Sequence, residues 1–103
     1  MSRYFVTRHS GALAWATQQG IVFDQHLSHL TADLQLQAGD VVAGTLPVNL
    51  AADLCARGVI YLHLSLELPE SLRGQELSAE QLHACHAKLE RFDIQRVAFN
   101  AED

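Results

Sequence analysis

Positive charge is scarce in this chain of 103 residues, where seven lysines and arginines stand against twelve aspartates and glutamates for a formal net charge of −5 with the histidines neutral. Binding to a long nucleic acid rests on neutralising many phosphates with a basic face, and this balance argues against it. A small ligand with a few phosphates needs only local positive charge. Cysteine is scarcer still: Cys55 and Cys85 lie far apart and form no C-x-x-C pair. Dithiol redox chemistry and zinc ribbons are therefore not expected, and both thiols read as buried, reduced filler. No apolar run approaches the roughly 20 residues of a membrane-spanning helix. The start of the chain lacks the charged region, apolar core and cleavage site of a signal peptide, so the expected location is the cytoplasm. Internal repeats, low-complexity stretches and linkers are also missing, and the expectation is one domain over residues 1–103. A domain that small buries only about two-thirds of its unfolded surface, which dimerisation would help.

What is there is a chain 49% hydrophobic, with apolar runs separated by turn signals. Residues 3–8 read as a strand, 11–19 as a helix closed by Gly20, and 21–24 as a second strand with an extension toward His29. Residues 31–38 have loop-like ends around a middle whose helical and extended readings both stay open. Asp40 introduces the buried-strand run 41–45, and Pro47 suits the first turn of a helix that runs to Arg57 and stops at Gly58. Residues 59–66 make the clearest strand. Ser78-Ala79-Glu80-Gln81 has capping-box spacing, and Leu82, Cys85, Leu89 and Phe92 follow at helical steps, which predicts a long helix before a closing strand from Ile94 to Phe99. The expected fold is α/β in the order βαββαβαβ, a small Rossmann-like domain with a mostly parallel sheet and helices on both faces.

Arg8-His9-Ser10-Gly11 stands where the first strand gives way to the first helix. A guanidinium fork and free helix N–H groups suit phosphate oxygens there, whereas the plainer reading leaves Ser10 as a helix cap and Arg8 in solvent. Without a G-x-G-x-x-G pattern the turn does not indicate NAD. Gly44-Thr45-Leu46-Pro47-Val48-Asn49 repeats the arrangement at the next such turn, on the same sheet edge. The strand at 59–66 alternates an aliphatic face with Val59, Tyr61, His63 and Ser65, so His63 and Ser65 either sit in the core or point into the crevice. In the long connection after it, Arg73-Gly74 is either an exposed turn or a second guanidinium folded over the crevice. His26 with His29, and His83 with His86, lack a third ligand, so no metal site and no cofactor are expected.

Three stretches in order, Tyr4-Phe5-Val6-Thr7-Arg8-His9-Ser10-Gly11-Ala12, Gly39-Asp40-Val41-Val42-Ala43-Gly44-Thr45-Leu46-Pro47, and His63-Leu64-Ser65-Leu66-Glu67 with Arg73-Gly74-Gln75-Glu76-Leu77-Ser78, make the whole chain resemble a small CRISPR-associated family of the Csx type found with type III systems. The resemblance implies a CARF-like Rossmann fold and a ring nuclease, which linearises cyclic tetra-adenylate and switches off the antiviral signal. It also implies a homodimer that holds the ring across its axis, and metal-independent attack by a ribose 2′-hydroxyl leaving a 2′,3′-cyclic phosphate. In that setting Arg8, His9 and His63 are the catalytic candidates. Ser10, Gly11, Gly44, Thr45, Leu46, Pro47, Asn49, Ser65 and Arg73 are the ligand-binding ones. The alternatives are a module that binds or sequesters the ring without cutting it, a structural partner in CRISPR defence, and a histidine phosphatase, whose Arg-His-Gly signature Ser10 interrupts.

Overall fold

Strands and helices alternate along the chain as β1 (Arg3–Val6), α1 (Ser10–Gln18), β2 (Gln25–Leu27), β3 (Val41–Gly44), α2 (Val48–Ala56), β4 (Ile60–Ser65), a 3₁₀ turn at Glu70–Leu72, α3 (Ala79–Ala84) and β5 (Lys88–Phe92). These come from a computed structural model that describes residues 1–31 and 34–99. The sheet order is β2-β1-β3-β4-β5, with the first four strands parallel and β5 antiparallel to β4. From β1 the chain steps outward to β2 and then returns to β3 on the other side. The connections that follow β1 and β3 therefore leave in opposite directions, which opens the sheet's carboxyl edge between them.

Alternation along the strands feeds two cores. Phe5 points to one face, where it meets Ala43, Leu64, the Ala12, Trp15 and Ala16 stripe of α1, and Leu82 of α3. Tyr4 and Val6 point to the other, against Val42, Val59 and Leu54 of α2. Helices thus cover both faces of a mostly parallel sheet, as expected. Pro47 stands just outside α2 as its N-cap, one position earlier than predicted.

The second strand lies at Gln25–Leu27, inside the expected extension toward His29 and not at 21–24. Ile21 and Phe23 owe their apolar character to loop packing: both lie against the first core, with the rings of Phe23 and Phe5 4.7 Å apart. Among the described residues of 31–38 there is no helix or strand, and 32 and 33 fall outside those described. Leu34 and Leu36 instead pack as loop residues on the second core. Asp40 anchors the start of β3, its carboxylate accepting the N–H groups of Ser2 at 3.0 Å and Gln37 at 2.9 Å. Those two donors, Gln37 first, hold its carboxyl below the usual value of 3.8.

The largest departure is in the last third. The capping box at Ser78 and Gln81 forms as read, but α3 stops at Ala84 and is not the long helix that the Leu82, Cys85, Leu89 and Phe92 spacing predicts. His86 takes a left-handed φ of 57°, and the Ala87 N–H closes back on the Leu82 carbonyl at 3.0 Å, which turns the chain out of the helix. Six helical residues advance only about 9 Å, against roughly 20 Å for the six residues of β4. The chain is thus still near the carboxyl edge when it rejoins the sheet, and it pairs antiparallel from Ser65↔Lys88 to Tyr61↔Phe92. The expected strand at 94–99 is accordingly not formed. That segment runs along α2, with the Ile94 N–H on the Cys55 sulfur at 3.4 Å and the Arg96 guanidinium 2.6 Å from Asp53.

Candidate functional site

Thr7, Arg8 and His9 make the turn from β1 into α1. Thr7 is buried and ties the turn to the end of β2: its N–H donates to the Leu27 carbonyl at 2.9 Å, and its own carbonyl lies 3.0 Å from His26 Nε2. Its hydroxyl accepts the His9 N–H at 3.1 Å. With its neighbours fixed, Arg8 projects into solvent, and no carboxylate among the described residues pairs with it. His9, not Ser10, is the N-cap residue of α1, and its side chain does not cap. Its Nδ1 instead accepts the backbone N–H of Leu77 at 3.0 Å, across 68 residues of sequence. Ser10 is the first helical residue, and its side chain lies outside the described part.

Gly44 closes β3 at a φ of 149°, and a Cβ there would overlap the Val6 carbonyl, so glycine is what lets β1 and β3 meet just before they diverge. Beyond it, the Leu46 N–H donates to the Tyr61 hydroxyl at 3.0 Å. That hydroxyl also lies 3.2 Å from the Gly44 carbonyl and 2.7 Å from His63 Nδ1. One proton and two lone pairs serve three partners, so the phenol is fully engaged. Burial pushes its pKa up, with the Leu46 N–H opposing, and the group is therefore neutral.

Between the two turns opens a crevice of about 520 Å³, within the range of small-molecule sites. Thr7, Arg8 and His9 form one wall, and Thr45, Leu46 and Pro47 the other. Ser28, His29 and Leu30, which follow β2, add a third side, and Leu64, Leu66, Leu68 and Leu77 line it with hydrocarbon. His29 Nδ1 lies 3.1 Å from the Ser28 hydroxyl. Polar groups at the turns and leucines between them suit a ligand with one charged and one apolar part.

Of the residues singled out in the sequence, Arg8, His9, Thr45, Leu46 and Pro47 come together around the crevice. His63 and Ser65 do not line it. They share a face of β4 with Tyr61, beside β5, where His63 meets the Phe92 ring at 5.9 Å. Arg73 is exposed after the 3₁₀ turn, and Asn49 is exposed on α2, its carbonyl accepting from Arg96. Gly11 is not among the residues that line the crevice; its Cβ position is taken by the backbone of residues 77–79, so this glycine lets α1 approach the start of α3. A strand set at 21–24 does not reveal the side at 28–30. The same strand-end rule, applied to a strand ending at Leu27, points directly at it.

Among the described residues no three histidine, cysteine, aspartate or glutamate side chains gather as a metal site, and no helix is long and apolar enough to cross a membrane. Fold and site together define a mixed α/β protein with a ligand-sized crevice where its parallel strands end. Residues 4–95, which include both crevice turns and β5, match the family described as "Putative CRISPR-associated protein (Cas_VVA1548)", and the chain belongs to that family. No curated protein and no solved structure matches it.

Proposed function

We propose that this CRISPR-associated protein is a ring nuclease, a CARF-like, Rossmann-like domain that linearises cyclic tetra-adenylate and so switches off type III signalling. The observation that supports this most is the crevice between the ends of β1 and β3, which sets Arg8 and His9 beside a leucine-lined interior. An oligoadenylate divides in the same way, with phosphates for the rim and flat bases for the hydrocarbon. Helices α1 and α2 both begin at the crevice and add partial positive charge where a phosphate would lie.

Cleavage is a transfer within the substrate. A ribose 2′-oxygen attacks the neighbouring phosphorus and gives up its proton, the bond from phosphorus to the 5′-oxygen breaks, and that oxygen takes up a proton. The products are a 2′,3′-cyclic phosphate and a 5′-hydroxyl, with no further reactant and no metal in the scheme. Holding the 2′-oxygen in line with the leaving oxygen supplies much of the acceleration, and Arg8 stabilises the charge that grows on the phosphoryl oxygens. A second copy related by a two-fold axis would offer the same groups to the opposite half of the ring.

A second reading, binding without cleavage, is favoured by one observation: Arg8 is the only lysine or arginine among the described residues that line the crevice. Incubation of the purified protein with cyclic tetra-adenylate in EDTA, followed by chromatography, separates the two. Linear product ending in a 2′,3′-cyclic phosphate is expected. An intact ring after many hours at protein excess would sink the nuclease reading, and calorimetry then distinguishes a sequestering module from a protein with no affinity for the ring.

A further inference from the structure

We propose that His9 works in the crevice as a fixed hydrogen-bond donor and not as a base, because the Leu77 backbone holds its ring in the tautomer that carries the proton on Nε2. For the identity of the ligand this rests on the ring-nuclease reading; for the state of the ring it does not. The roles of a histidine nitrogen are usually ambiguous, because either ring nitrogen can carry the proton. At His9 the ambiguity is removed. A backbone N–H can only donate, so Nδ1, at 3.0 Å from the Leu77 nitrogen, must accept and can hold no proton. A neutral imidazole has one proton, which is then on Nε2.

Nε2 has no hydrogen-bond partner among the described residues, and no buried side-chain nitrogen or oxygen among them is left without one. It belongs to a half-exposed residue that lines the crevice beside Arg8. Protonating Nδ1 would set two N–H groups against each other and leave the amide of Leu77, a residue only 2% exposed, without its acceptor. The ring thus offers the ligand a neutral N–H in a fixed direction. The matching ligand group is an anionic oxygen with no proton of its own, here a non-bridging phosphate oxygen next to the one that Arg8 engages. With its lone pair absent from Nε2, His9 cannot take the proton of the attacking 2′-hydroxyl.

Two measurements test this. Long-range proton–nitrogen correlation spectra of the ¹⁵N-labelled, ligand-free protein at mildly alkaline pH distinguish a bare from a protonated ring nitrogen, with His9 assigned by the signal that a His9→Asn variant lacks. The expected result is a bare Nδ1 and a protonated Nε2; the reverse tautomer overturns the proposal, whatever the ligand proves to be. The His9→Asn variant is the second arm, because an asparagine oxygen can stand in for Nδ1 and keep the Leu77 bond while removing the donor at Nε2. It should melt close to the parent and bind cyclic tetra-adenylate about 10- to 100-fold more weakly. Unchanged affinity in a folded variant overturns the donor role. If the parent itself does not bind the ring, the nuclease reading falls and the tautomer alone decides this proposal.

Discussion

His9 and His63 are both held through Nδ1, yet they occupy different kinds of place. His9 sits past the end of β1, on the turn that opens the crevice, and is bonded to a backbone amide 68 residues away. His63 lies within β4, paired with Gly44 in the sheet and bonded to a tyrosine two residues before it. Residues inside a parallel strand are committed to one face or the other; only those beyond its end, or those that line the opening from a face, reach a ligand at the carboxyl edge. The polarity of His63 and Ser65 thus belongs to the β4–β5 surface.

The sharpest way to break this contrast is to remove one cation and one imidazole in turn. Under the proposed function, Arg8→Ala should lower cleavage by about 10²- to 10³-fold, as loss of a charge-stabilising donor does. His63→Gln should leave ring affinity within about threefold and lower stability by about 1 kcal/mol, the usual worth of one hydrogen bond. Equal losses of cleavage in the two variants would show that a ligand reaches the β4–β5 face after all. A smaller effect tests whether the two places are joined. Tyr61→Phe leaves the Leu46 N–H without its acceptor and should lower unfolding stability by about 1–3 kcal/mol in a urea titration, since that amide is partly buried. A loss under about 0.5 kcal/mol would mean that the crevice wall does not depend on the hydroxyl.

The mildest effect lies at the other end of the sheet. Asp40 has its carboxyl lowered by the Gln37 and Ser2 amides. Its contribution is therefore complete above the usual value of 3.8, where the unfolded chain is also ionised, and is lost as pH falls through the lower value of the folded state. The melting temperature of the parent should fall over that acid window, and an Asp40→Asn variant should start lower and show a flatter profile there. Identical profiles would remove Asp40 from the account.

The two crevice turns were legible in the sequence because a strand, a polar turn and an amphipathic helix follow one another within a few residues, and that is local information. The alternation that separates Leu62, Leu64 and Leu66 from Tyr61, His63 and Ser65 was legible for the same reason. It did not tell which groups line an edge: Leu64 and Leu66 do, and His63 does not. The end of α3 is misread because Leu89 and Phe92, three residues apart, keep a helical step, whereas in a strand they take opposite faces. What decides between helix and strand is the turn at His86 and the open edge of β4, and the latter is a property of the assembled sheet.

The segment that follows β5 has a consequence for the chemistry of Cys55. Its sulfur takes the Ile94 N–H at 3.4 Å and lies 3.7 Å from the Phe92 carbonyl, while Arg96 clasps Asp53, two residues earlier on α2. A thiol engaged in this way reacts with an alkylating reagent mainly when the clasp lifts. The rate at which Cys55 is labelled therefore acts as a clock for the opening of the tail, read without touching the crevice.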